Sequence, residues 1–240
     1  MLDEVCDSIF ERCSGPDAVP GRIVWCPVGN VEEVPRVLDV ERATPTDHFA
    51  TKFSIVQMGA GHFKERTRLP VKSLTLQGTE ELLIAKAKKR PCVVVSSPNT
   101  DFADHETVPE IKRKRHLWNG AVLLAPLYGL ETAADGQGFP PVMVARIKAL
   151  LYSQFIHIPQ KCPKSGISMR KDAIVRLDRM FSAVPAARAV EMEDYKLAEE
   201  PLALLLAMAR VRLGGEPTDA LSLVMELARE ALPDAAVPPS

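Results

Sequence analysis

Paired cysteines are missing from this chain. Its five cysteines (Cys6, Cys13, Cys26, Cys92 and Cys162) show no close pairing and no C-x-x-C spacing, which argues against both a structural zinc site and a disulfide scaffold. No apolar run approaches the roughly 20 residues of a membrane span. The opening residues, Met1-Leu2-Asp3-Glu4-Val5, are acidic where a signal peptide would be basic. No membrane partner and a cytoplasmic location are therefore expected. An excess of one charge is also missing: the formal net charge is −1, so a nucleic acid would have to be met by a local patch.

Common chemical signatures are scarce as well. Gly59-Ala60-Gly61 lacks the spacing and the following helix of a phosphate loop. Ser96-Ser97 lacks the G-x-S-x-G elbow of a serine hydrolase. Glu80, Glu81 and Lys86 fit no metal-nuclease spacing, and the group Asp101, Asp104, His105 and Glu106 has no second carboxylate set to complete a metal site. The expectation is no metal and no cofactor.

What is present is a set of short β-branched runs. Gly21-Arg22-Ile23-Val24-Trp25-Cys26-Pro27, Phe53–Met58, Pro91–Ser96, Ala121–Leu127 and Phe155–Ile158 read as strands bounded by turn residues. Leu69–Gln77 and Glu81–Lys86 read as a hairpin. Residues 142–151 alternate as a strand does, although their Ala and Leu content leaves a helix open. Pro91 should begin its strand or lie on an edge, because it cannot donate to a ladder. Arg90 then stands at the strand's mouth with Lys88 and Lys89 beside it. His157 alternates with apolar neighbours and reads as a structural histidine.

Helical spacing marks residues 2–13, a segment from Ser168 to Phe181 with Ser168 as N-cap, residues 192–213, and residues 218–231. Residues 30–52 show no clear period and read as a loop. Residues 97–116 read as a polar loop with a basic run, Lys112, Arg113, Lys114, Arg115 and His116. That run is either a solvated loop or a phosphate contact. The fold class is mainly β with α. The division is an N-terminal helix (1–20), a β core (21–183) interrupted at about 30–88, and a C-terminal helical extension (184–240).

The order of three strands resembles the MazF/PemK toxin family. Gly21–Trp25, Arg90–Ser96 and Ala121–Leu127 follow the family patterns G-x-I-V-W, R-P-x-V-V-x-S and V-x-V-P-x-T. Val144–Ala149 resembles the family's next strand, A-D-Q-V-K-S-I, and Met169–Phe181 its terminal helix. The resemblance implies an SH3-like barrel, commonly a homodimer, acting as a metal-independent endoribonuclease on single-stranded RNA. It also implies an antitoxin protein as partner. Such an enzyme uses the RNA 2′-hydroxyl as nucleophile, so the protein supplies a base, an acid and cationic stabilisation of the phosphate.

By resemblance, Arg90 matches the catalytic arginine and Ser96 the strand-end serine. The family's threonine falls on Tyr128, a departure that keeps open a binding module without cleavage. His116, whose ordinary pKa lies near neutrality, is a candidate acid or base. Lys88, Lys89 and Lys112–Arg115 would form the RNA track. A further reading makes the C-terminal helices a protein-interaction surface, motivated by the apolar stripe along 202–213.

Overall fold

Strands form where the β-branched runs are densest, and their burial follows the side-chain alternation. The computed structural model describes residues 6–30, 34–42, 51–64, 76, 79–98, 103–117, 119–130, 138–185 and 189–238. The chain divides into two compact units, one made of Met1–Pro27 with Lys89–Ser240, the other of Val28–Lys88.

The larger unit is built on an eight-stranded sheet. Its strands are β1 (Phe10–Arg12), β2 (Arg22–Gly29), β6 (Ala87–Val94), β7 (Val122–Gly129), β8 (Phe155–Ile158), β9 (Ala173–Arg176), β10 (Phe181–Ala183) and β11 (Glu191–Leu197). The hydrogen-bonded order is β1-β11-β2-β6-β7-β9-β8, with β10 also paired to β7. The two ends of that path, β1 and β8, do not pair with each other, so the described sheet is open, not a closed barrel. The smaller unit carries a three-stranded antiparallel sheet in the order β4-β3-β5, with β3 at Arg36–Arg42, β4 at Thr51–Gln57 and β5 at Leu83–Ile84. The architecture is mainly β with α-helices.

Two faces of the large sheet bury different residues. On one face Ile23, Val93, Ala125, Leu127, Ile156 and Val175 form the main core with residues of two helices, α3 (Glu199–Arg212) and α4 (Asp219–Glu230). Each fully buried aliphatic side chain there contributes about 1.5–3 kcal/mol. On the other face Phe155 and Ile174 cluster with Ile147 from helix α2 (Pro141–Lys148), and Tyr128 packs against them. Among the described residues no helix is long and apolar enough to cross a membrane.

Several sequence expectations are corrected. Residues 6–12 are not helical: Phe10–Arg12 pairs antiparallel with β11, and the deep burial of Ile9 and Phe10 comes from sheet packing. Residues 1–5 lie outside the described residues. The expected loop at 30–52 contains β3, which pairs along its length with β4. Most of the expected strand at 69–77 lies outside the described residues; β5 pairs with β3. Residues 141–148 are helical, opened by Pro141, whose missing N–H costs nothing in the first turn. Pro91 is the fifth residue of β6, not its first.

The segment read as a helix from Ser168 is a kinked strand instead. Leu127 faces Val175 before a 3₁₀ turn at Leu177–Arg179, and Leu124 faces Phe181 after it. Six residues of the returning chain therefore span three of β7. That stretching of the strand period imitates helical spacing. Likewise the helix expected at 192–213 begins only at Glu199, because Glu191–Leu197 is β11, inserted between β1 and β2. Residues 191–197, expected within the helical extension, are thus part of the main sheet. The last helix spans Asp219–Glu230, with the Thr218 hydroxyl capping Leu221 N at 3.2 Å.

A buried arginine fastens the edge of this sheet. Arg22 is 4% exposed. Its Nε donates to Glu193 O at 3.0 Å, and its Nη1 donates to Gly15 O at 2.7 Å and Asp17 O at 2.8 Å. Just before it, Gly21 takes φ +84°, and a Cβ there would sit 3.3 Å from Leu197 O. Losing the guanidinium would strand buried carbonyls and leave a void. Arg22→Ala is expected to destabilise the protein by about 3 kcal/mol, read as a lower urea midpoint with an unchanged m-value. An unchanged midpoint would show that water replaces the guanidinium at no cost.

Candidate functional site

The register of β6 on β7 places the site. Cys92 faces Pro126, Val93 faces Ala125 and Val94 faces Leu124. Pro91, whose backbone N would face β7, has no N–H to donate, so the paired stretch stops at Cys92. Continuing the same register by two residues sets Arg90 across from Tyr128. Their side chains meet: Arg90 Cζ lies 4.1 Å from the centroid of the Tyr128 ring.

The neighbouring strand supplies a second guanidinium. Tyr128 faces Ile174, so Arg176, two residues further along β9, falls on the same face one step diagonal to the ring. Arg176 Cζ is 5.5 Å from the Tyr128 centroid and 5.0 Å from that of Phe155, the residue directly opposite it on β8. Asp178, in the 3₁₀ turn that kinks the strand, holds Arg176 with two oxygens: Nε donates at 2.8 Å and Nη2 at 2.6 Å. Burial would raise the Asp178 carboxyl, but the hydrogen bonds and charge of Arg176 outweigh it and hold the group below the usual carboxylate range. Asp178 is therefore an ionised anchor. At 17% side-chain exposure for both partners, the pair is shielded enough to be a fixed orienting element.

A third cation approaches from the loop before β9. The Lys171 side chain crosses the backbone at Gly129, where a Cβ would come within 2.5 Å of Lys171 Cε. Lys171, Arg90 and Arg176 thus surround the Tyr128–Gly129 end of β7. This cluster is half-buried: Arg90, Tyr128 and Arg176 are each neither fully buried nor exposed.

No protein-family model matches the chain, and no curated protein matches it either. The site's chemistry has to be argued from its geometry.

Among the residues expected from sequence, Arg90 and Tyr128 are brought together. Ser96 is not joined to them. It lies six residues further along, roughly 20 Å away at strand spacing, and its Oγ accepts from Leu123 N at 2.9 Å. Its visible role is to end the strand. Lys89 reaches Glu191 at 2.5 Å, while Lys88 is exposed at the start of β6. Lys112 ends a one-turn helix, α1 (Pro109–Lys112), and Arg113, Lys114 and Arg115 follow it, all four exposed. His116 lies in the 3₁₀ turn Arg115–Leu117, and its side chain is outside the described residues. Among the described residues no group of three or more His, Cys, Asp or Glu is placed to hold a metal ion.

Arg176, Asp178 and Lys171 escaped the sequence reading. The available signal was an arginine inside the apolar run Ala173–Leu177 with an aspartate two residues on. A charge in such a run needs a partner, and Asp178 is in reach.

His157 closes the row formed by Arg90, Tyr128 and Ile174, facing Ile174 from β8. It is 5% exposed, its Nε2 lies 3.4 Å from Asp172 Oδ2, and its Nδ1 has no hydrogen-bond partner among the described residues. Burial first, then the Lys148 charge, depress its pKa below the ordinary 6.5, against the opposing pull of Asp172. It is neutral at pH 7 and sheltered from solvent. The unfolded chain takes up a proton near pH 6.5 that the folded chain resists, so the stability His157 confers is complete above pH 6.5 and falls as the pH drops below it. The urea midpoint is expected to fall between pH 7.5 and pH 5.5, and His157→Phe should flatten that slope. An equally steep slope in the variant would place its origin elsewhere.

Proposed function

We propose that the Arg90–Tyr128–Arg176 cluster binds an RNA phosphate, and that the protein is a metal-independent endoribonuclease acting through the RNA 2′-hydroxyl. The observation that carries this reading is the convergence of two guanidinium groups on one tyrosine ring at the half-buried end of β7. Arg90 is held by the ring and not by a carboxylate among the described residues, which leaves its fork to pair with two phosphate oxygens. Arg176 is oriented by Asp178 and adds a second positive charge beside the same spot.

In this mechanism the 2′-hydroxyl oxygen attacks the adjacent phosphorus, and the bond to the 5′-oxygen breaks. A 2′,3′-cyclic phosphate and a 5′-hydroxyl end result. Charge builds on the phosphate oxygens in the transition state, where the Arg90 and Arg176 guanidinium groups stabilise it. The Tyr128 hydroxyl is the candidate donor to the departing 5′-oxygen, and His116 the candidate acceptor of the 2′-hydroxyl proton. Lys88 and Lys112–Arg115 extend the track by contacting further phosphates.

This reading brings with it the SH3-like barrel, the homodimer and the antitoxin partner of the family that the strand order resembles. The shared strand β7 supports the barrel, since it pairs with β10 at one end and β9 at the other across a kink. Such kinks are how small sandwiches and barrels turn their corners.

Binding without cleavage is the second reading. The use of the Tyr128 ring as a shelf for two arginines favours it, because stacking presents the ring face and not the hydroxyl. Purified protein is expected to cut single-stranded RNA in the presence of EDTA. Arg90→Ala should slow cleavage about 10²–10³-fold, and Arg90→Lys should restore little of it. Tyr128→Phe separates the readings: a drop of about tenfold or more with unchanged RNA affinity makes the phenol a proton donor. Salt-sensitive binding with every RNA left intact would establish the binding module instead, and neither binding nor cutting by folded protein would end both.

A further inference from the structure

Two cysteines that share no sequence motif meet in the middle of the sheet. Cys26 on β2 and Cys92 on β6 are 66 residues apart, yet their Sγ atoms are 3.3 Å apart. They are 1% and 0% exposed, and both thiols are free. β2 and β6 are hydrogen-bonded neighbours, so the thiols form a cross-strand pair. A disulfide has an S–S distance of about 2.0 Å; closing the gap takes a movement of about 1.3 Å, within the reach of small side-chain rotations. The position of the pair along the chain matters equally. The chain leaves the larger unit after Pro27 and returns to it at Lys89, so Cys26 and Cys92 stand on the outgoing and returning strands. Cys92 lies two residues from Arg90 on the same face of β6, with its thiol 3.7 Å from Arg90 O.

We propose that Cys26 and Cys92 are a redox-active pair, which peroxide converts into a reversible disulfide that closes the 28–88 excursion into a covalent loop and staples the strand carrying Arg90. This holds whether or not the arginine cluster binds RNA. The thiolate sulfur of one cysteine attacks a peroxide oxygen, the O–O bond breaks, and hydroxide leaves, giving a sulfenic acid. The second thiol attacks that sulfur, forms the S–S bond and releases water. The net change is two thiols and one hydrogen peroxide to one disulfide and two waters; the thiols are oxidised and the peroxide is reduced. Either thiol can be the donor of the 3.3 Å hydrogen bond between them, and the acceptor is the attacking group. With the Cys92 thiol as donor, that bond lowers the pKa of Cys26 and raises that of Cys92, which makes Cys26 the attacking thiolate, with burial acting upward on both.

The test treats the full chain with hydrogen peroxide, alkylates in denaturant and counts the blocked thiols by mass. Alkylation should fall from five sites to three, with the Cys26 and Cys92 peptides linked and recovered separately after dithiothreitol. Trypsin nicking within residues 31–88 should then leave one species on a non-reducing denaturing gel and two after reduction. Cys26→Ser and Cys92→Ser should each abolish the link. A chain carrying Cys6→Ala, Cys13→Ala and Cys162→Ala should keep it, and its β6 amides should exchange hydrogen about tenfold or more slowly once oxidised. Five alkylated thiols after peroxide, or a link that survives Cys26→Ser, overturns the proposal. Unchanged β6 exchange in the linked chain overturns the staple.

Discussion

The pairing register between β6 and β7 is the constraint on which the site depends. Cys92 faces Pro126 and Val94 faces Leu124, and alternation then sends Val93 to the main core and Arg90 to the opposite face. A slip of one residue would turn Arg90 toward Ile23, Leu127 and Val175, and bring Lys89 or Pro91 to Tyr128. The core forbids that slip, because turning Arg90 to its face would bury a charge among aliphatic side chains. Core packing and site geometry are thus one decision.

Pro91 gives that register its functional end. It stops the ladder where β6 and β7 would otherwise continue as an ordinary pair. Beyond it the strands carry side chains that interact by ring and charge. A guanidinium on an aromatic face contributes about 0.5–2 kcal/mol, more as it is desolvated. That is enough to orient Arg90 and too little to satisfy it as a carboxylate would. Arg176 is held differently, by two hydrogen bonds that it donates to Asp178. One fixed and one stacked cation beside a single ring repel each other, and an anion placed between them would relieve the repulsion.

The 3₁₀ turn at Leu177–Arg179 ties the second arginine to the fold. Without the turn β9 and β10 would form one regular strand along β7. With it, Arg176 and Asp178 stand at the kink, where their side chains can meet across only two residues. Bends of this kind recur beside functional sites because they aim side chains that a regular strand would direct elsewhere. The same turn disguised the strand as a helix, since Ala173, Ile174, Leu177 and Phe181 are spaced at three and four residues by the kink.

Local composition by itself determined the strands at 21–27, 91–96, 121–127 and 155–158 and the last helix, because their apolar runs, turn residues and cap act within a few residues of each other. Composition placed Arg90 at a strand's mouth, and only the resemblance carried by the order of the strands singled out Arg90 and Tyr128 as a site. Sheet partners decided the rest. Ile9 and Phe10 became strand through β11, and Glu191–Leu197 became strand through β2 and β1, although the spacing of each had suggested a helix. Tertiary pairing alone set Arg90 over Tyr128, carried Arg176 to the same ring and left Ser96 far from both. The physical reason is range: periodicity and capping are properties of one segment, whereas register, cross-strand contact and the meeting of Cys26 with Cys92 belong to pairs of segments whose distance in the chain carries no signal of their distance in space.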